Sequence, residues 1–186
     1  MWKSICRWIL YRQWGWTTNI TVDIPQKFII CLAPHTSNWD FVLGELYNRA
    51  EGMKIGFLMK KEWFHWPFGH LFRRMGGIPV CRTHHTSLTD QLAAEAESHD
   101  TFRLCITPEG TRSLNTEWKL GFYYIALKAH LPVLLYAADY EQKVIQCTKI
   151  ITPNGDVESQ MREIKLYYKD FKGKHPENFS LGEIQK

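Results

Sequence analysis

Two hexapeptides in this chain place a histidine five positions before an aspartate: HTSNWD at His35–Asp40 and HTSLTD at His85–Asp90. Such a pair can move a proton, because the carboxylate holds one imidazole nitrogen and leaves the other to accept a proton from a hydroxyl. The same residue types also begin helices. Five helical residues turn through about 500°, so the two side chains of one helix would point about 140° apart. Contact therefore requires the histidine outside the helix and the aspartate within its first turn. In HTSNWD, Ser37 fits the N-cap and Asp40 the N3 position of a capping-box-like start, where side chains lean back toward the N-terminus. HTSLTD allows the same arrangement with Ser87 and Asp90. Geometry alone does not choose between them.

A third stretch, PEGTRS at Pro108–Ser113, follows the apolar run FRLCIT. Gly110 permits a tight turn, and Arg112 offers a planar fork suited to phosphate. Glu109 can orient that arginine or a substrate hydroxyl. Taken alone, the stretch is equally a surface loop with an ion pair.

The elements that must position these residues alternate. KFIICLA, MKIGFLM, IPVCR, TFRLCIT, LPVLLYAADY and KVIQCTKII read as strands. FVLGELYNRAEG, ending near Gly52, SLTDQLAAEAESHD and GFYYIALKAH read as helices, and WFHWPFGHLFRRMGG as an irregular or helical stretch closed by Gly76 and Gly77. PNGD offers a tight turn at Asn154–Gly155, and the polar tail from Lys172 reads as surface or poorly ordered chain. This alternation predicts an α/β fold, a mainly parallel central sheet flanked by helices, with sites where strands end. The 186 residues suffice for one such domain, expected over 21–186.

Residues 1–20 stand apart. Five of the eight tryptophans fall within the first forty residues, and MWKSICRWILYRQWGWTTN carries Lys3, Arg7 and Arg12 with no acid. As a helix it puts Trp2, Ile5, Ile9 and Trp16 on one face, with Trp8, Tyr11 and Trp14 on the other side. Trp beside Lys and Arg suits a helix at a membrane interface; a helix docked on the domain's own core fits as well. No apolar run reaches the roughly 18 residues of a membrane span, and no signal-peptide cleavage site is expected. The five scattered cysteines predict free thiols in a reducing cytosol. A net charge of +4, with no basic recognition helix, suits an anionic lipid, coenzyme A or an acidic carrier protein rather than nucleic acid. His65, His70, Cys81, His84 and His85 follow no standard metal-ligand spacing, so no metal is expected. No G-x-S-x-G elbow supports a serine hydrolase.

Four blocks, in order from about Phe28 to Ala138, resemble the glycerolipid acyltransferase family typified by 1-acylglycerol-3-phosphate acyltransferase. HTSNWD is similar to its H-x4-D block. KKEWFHWPFGHLFRRMGGIPVCR resembles the second through Lys60, Lys61, Glu62, Pro67, Gly69, Gly77, Ile78 and Arg82. PEGTRS resembles the third, and KLGFYYIALKAHLPVLLYA the last. The resemblance implies a glycerolphosphate-acyltransferase-like single domain. It also implies transfer of a fatty acyl group from acyl-CoA or acyl carrier protein to a lysophospholipid hydroxyl, most readily that of 1-acylglycerol-3-phosphate. His35 would then be the general base and Asp40 its orienting partner. Arg82, Glu109, Gly110, Thr111, Arg112 and Lys60 would hold the acceptor. HTSLTD falls after Arg82, where the family has an ordinary helix.

The implied chemistry needs no cofactor. The implied setting is cytoplasmic, peripheral on the inner face of the membrane. Two departures leave the acceptor open to another lysolipid or an amino-lipid alcohol: Pro34 stands where many members have Asn, and LPVLLYA lacks their second proline. The rival reading is a non-catalytic binder of phospholipid headgroups on the same scaffold.

Overall fold

The apolar runs pair side by side in a computed structural model that describes residues 2–65, 68–80 and 88–183. Among the described residues, β1 (Thr17–Ile20), β2 (Lys27–Leu32), β3 (Gly56–Lys60), β4 (Gly77–Val80), β5 (Phe102–Ile106), β6 (Val133–Asp139) and β7 (Val144–Cys147) form one sheet in the order β1-β7-β6-β2-β5-β3-β4. Strands β6, β2, β5, β3 and β4 run parallel. Helices α2 (Trp39–Glu51), α3 (Phe68–Arg74), α4 (Leu88–Ser98) and α5 (Gly121–Lys128) fall in sequence between those strands. The mainly parallel α/β architecture is as expected.

Alternation along the central strands explains why both faces must be covered. Ile29 and Cys31 of β2 and Val133, Leu135 and Ala137 of β6 face one core, with Leu92, Phe122 and Tyr123 from α4 and α5. Phe28, Ile30, Leu134, Tyr136 and Ala138 face the other, with Leu43, Tyr47 and Ala50 of α2. A strand buried on both sides reads as an unbroken apolar run, as KFIICL and VLLYAAD do. Helix α2 ends at Gly52, whose φ of +75° is the left-handed cap that glycine adopts without steric cost.

The N-terminal segment differs from its helical-wheel reading. Helix α1 (Trp2–Arg7) runs into a π-helical segment, Trp8–Gln13. A π turn takes more residues than an α turn, so a 3.6-residue period assigns the wrong face beyond it. Cys6, Leu10 and Trp16 are buried, whereas Trp2 is 73% exposed and Ile5 and Trp8 are also exposed. The segment lies along α2: Lys3 donates to the Glu51 carbonyl, Arg7 and Tyr11 both bind the Glu51 carboxylate, and Trp14 packs edge-on to Trp39.

One further reading is corrected and two are refined. KVIQCTKII is two strands, β7 and β8 (Ile150–Ile151), both antiparallel to β6; between them the Thr148 amide leaves the ladder for the Tyr167 hydroxyl. The chain turns tightly at Gly155, φ +94°, whose carbonyl accepts from the Val157 amide at 2.9 Å, but no strand follows among the described residues. Asp156 instead caps an additional helix, α6 (Val157–Tyr167), its carboxylate accepting from the Ser159 amide. The polar tail lies at the surface, the first of its two readings, and is tied down there by hydrogen bonds. Lys172 accepts from the Tyr140 amide at 2.8 Å, the His175 amide donates to Thr36 Oγ1 at 3.1 Å, and the Trp118 indole donates to the Ser180 carbonyl at 2.9 Å. Its hydrogen bonds are made by backbone groups, which composition does not reveal.

Candidate active site

Strands β6, β2 and β5 are adjacent and parallel, with Leu32 opposite Tyr136 and Cys31 opposite Ile106, so their C-terminal ends meet. His35 follows β2, Glu109 follows β5 and Tyr140 follows β6. Loops at this edge of a parallel sheet are where ligands ordinarily bind.

HTSNWD adopts the arrangement its sequence suggests. His35 lies outside the helix and Asp40 within the first turn of α2, with His35 Nδ1 3.1 Å from Asp40 Oδ2. The same oxygen accepts from the Thr36 and Ser37 amides, each at 2.9 Å. The Tyr140 hydroxyl donates to Asp40 Oδ1 at 2.7 Å. Ser37 Oγ accepts from the Trp39 amide, so the reciprocal capping is present although the helix begins one residue later than a Ser37 cap implies. Burial alone would raise the Asp40 pKa. The bonds from His35, Tyr140 and the Ser37 amide outweigh it and hold the carboxyl below its ordinary range. An ionised carboxylate only accepts, so it selects the tautomer with hydrogen on Nδ1 and leaves Nε2 as the basic nitrogen. The His35 side chain is 17% exposed and that of Asp40 is 2% exposed: one reaches the surface, the other is buried beside it.

Glu109 joins this pair from below. Its Oε1 accepts from the His35 amide at 2.9 Å, while its buried Oε2 has no hydrogen-bond partner among the described residues. Burial raises its pKa to about 7. A carboxyl raised from its ordinary 4.5 binds more protons folded than unfolded across that interval, so stability falls as pH rises. The wild type is expected to lose on the order of 3 kcal/mol of unfolding free energy relative to Glu109→Gln between pH 4.5 and 8. Denaturant titrations of both proteins at the two pH values check this. Parallel pH dependence would show that Glu109 ionises freely.

Gly110 sits in a turn closed by its amide on the Thr107 carbonyl, with φ +67°. A Cβ there would meet the Lys119 side chain at 3.0 Å. Thr111 and Arg112 continue into an exposed loop; Thr111 Oγ1 accepts from the Ser113 amide. The fold thus brings Glu109 onto His35 and sets Gly110, Thr111 and Arg112 next in the chain at the surface. Lys60 ends β3, two strands from β2 at the same sheet edge. Arg82 lies outside the described residues, as do Pro67, Cys81, His84, His85 and Ser87. In the second hexapeptide Asp90 is in the first turn of α4 and pairs with Lys128 of α5. Among the described residues, no cluster of three or more His, Cys, Asp or Glu side chains is placed to hold a metal ion.

Sequence reading missed Tyr140. It lies one residue beyond the apolar run of β6 and one hundred positions from Asp40, so only the neighbouring of β6 and β2 joins them. Trp16 packs edge-on against its ring at 5.1 Å, linking the N-terminal segment to the site.

The family model described as Acyltransferase matches residues 18–137, well over half of the chain. The solved structure of the 1-acyl-sn-glycerophosphate (LPA) acyltransferase PlsC from Thermotoga maritima is similar in fold. Its TM-score is 0.58 at 15% identity, and the match covers 92% of this chain and 79% of that one. No curated protein sequence matches the chain.

Proposed function

This chain belongs to the acyltransferase family, and on that premise we propose that it moves a fatty acyl group from a thioester, acyl-CoA or acyl carrier protein, to the free hydroxyl of 1-acylglycerol-3-phosphate. The observation that carries the reading is the His35–Asp40 contact, with Asp40 buried and His35 partly open. His35 Nε2 takes the hydroxyl proton as the acceptor oxygen bonds to the thioester carbon. The tetrahedral intermediate then expels the thiolate, which can take the proton back from the imidazolium. Asp40 steadies the imidazolium and fixes its orientation.

Four of the amides around the start of α2 are poor candidates for oxyanion donors. Those of Thr36 and Ser37 are taken by Asp40, that of Trp39 by Ser37 Oγ and that of Asp40 by the Ser37 carbonyl. The acceptor's phosphate and glycerol fall to Arg82, Arg112, Lys60, Gly110 and Thr111. Glu109 joins them through the family resemblance, and its buried, unpartnered Oε2 would have to be uncovered to meet an acceptor hydroxyl. Thiol release from acyl-CoA by the wild type should depend on added lysophosphatidate. Equal release without any acceptor would make the protein a thioesterase.

A pure headgroup binder would have no use for a buried carboxylate aligned on a histidine, which favours the enzyme. Membrane access fits residues 1–20, ahead of an acyltransferase domain over 21–186. Trp2, Ile5 and Trp8 form an exposed apolar edge beside Lys3 and Arg7, while no helix among the described residues is long and apolar enough to cross a membrane. This suits a peripheral position on the inner, cytoplasmic face. Each exposed tryptophan is worth on the order of 1 kcal/mol of apolar burial or more. The Trp2→Ala/Trp8→Ala double variant should therefore co-sediment with anionic liposomes about thirtyfold more weakly. Unchanged co-sedimentation would remove this segment from the interface.

A further inference from the structure

We propose that Lys174, which the C-terminal tail lays on the face of Trp39, is an anion subsite at the rim of the catalytic site and takes a phosphate group carried by a substrate. This rests on the acyl-transfer reading for which substrates are present, but on the tail's own contacts for its placement. Residues on both sides of Lys174 bear on Thr36, the neighbour of His35. The His175 amide donates to Thr36 Oγ1 at 3.1 Å, and Gly173 approaches so closely that a Cβ there would stand 2.7 Å from the same oxygen and 3.1 Å from Pro34 Cβ. One residue earlier, Lys172 accepts from the Tyr140 amide, and Tyr140 itself holds Asp40. Lys174 is thus fixed at its backbone to the loop that carries the base.

Its side chain has one contact among the described residues. The ammonium lies 4.5 Å from the centroid of the Trp39 ring, which is half exposed and is braced edge-on by Trp14. Trp39 is the residue before Asp40. No carboxylate among the described residues forms an ion pair with Lys174. The indole covers one side of the ammonium and accepts no N–H in a conventional hydrogen bond, so its donors remain for an anion. Phosphate is the anionic group that either substrate brings, on the acceptor or on the coenzyme, and an ammonium serves it as a point charge.

The test compares wild type, Lys174→Ala and Lys174→Glu, with Lys169→Glu as a control for the charge change of Lys174→Glu, on the exposed chain before the tail. KM is measured for lysophosphatidate against 1-monoacylglycerol, and for acyl-CoA against the acyl N-acetylcysteamine thioester. Losing one charge-assisted contact should raise KM about tenfold for Lys174→Ala, with kcat nearly unchanged. A rise confined to lysophosphatidate assigns the acceptor's phosphate, and one confined to acyl-CoA assigns the donor's. Unchanged KM, a rise shared by the phosphate-free analogues, or an equal rise in Lys169→Glu overturns the subsite. Calorimetric Kd values for lysophosphatidate and CoA separate this from the parent reading. Weakened binding in the Lys174 variants of a protein without turnover would count against acyl transfer and for the subsite; equal or absent binding would count against the subsite.

Discussion

His35→Ala is expected to lower the rate of acyl transfer by about 10²–10⁴-fold, the usual contribution of a positioned base, without unfolding the protein. The surroundings explain why the loss should be confined to chemistry. The link to Glu109 is made by the His35 backbone amide, which alanine retains. Asp40 would keep the Thr36 and Ser37 amides and the Tyr140 hydroxyl as donors when the imidazole is gone. The helix start therefore survives, and thermal unfolding should change little. Rates measured on purified protein beside a melting curve check both halves. A loss under tenfold with an intact fold would mean that another group takes the proton.

Asp40→Asn should cost about as much in rate, up to roughly 10⁴-fold by comparison with other His–Asp pairs, and should also destabilise the fold. The carboxylate meets four donors with two oxygens, and an amide can serve only one side as acceptor. Turned to keep the Thr36 and Ser37 amides on oxygen, it presents its NH2 to Tyr140, whose hydroxyl must rotate to accept. That orientation preserves the loop but removes the charge that steadies the imidazolium. The opposite orientation sets N–H against N–H in a buried site. The expected stability loss is about 1–3 kcal/mol, read by denaturant unfolding alongside kcat. Wild-type activity in Asp40→Asn would reduce Asp40 to a helix cap.

The contact within HTSNWD was legible in the sequence because it is local: one turn of chain decides whether histidine and aspartate meet, although only the family resemblance set it apart from HTSLTD. The mainly parallel sheet was legible for a similar reason, since strands such as KFIICL carry their double-sided burial as an unbroken apolar run. Contacts between distant segments were not. Tyr140 reaches Asp40 only because β6 pairs with β2. Gly173 and His175 close on Thr36 through packing and a backbone amide that polar composition conceals. Local signals also fell short. PNGD reads as a tight turn and makes one, but that reading did not foresee that the Asp156 carboxylate caps α6. At Trp8–Gln13 a π segment shifts the face that a regular wheel assigns.

The most direct measurement identifies the lipid product. Wild type, His35→Ala and His85→Ala should each be incubated with long-chain acyl-CoA and lysophosphatidate, with a fold check on every protein and mass spectrometry of the lipids. The account predicts diacylglycerol phosphate at similar rates from wild type and His85→Ala, and at a rate about 10²–10⁴-fold lower from His35→Ala. A His35→Ala rate within tenfold of wild type, or free fatty acid in place of the ester from wild type, would contradict it.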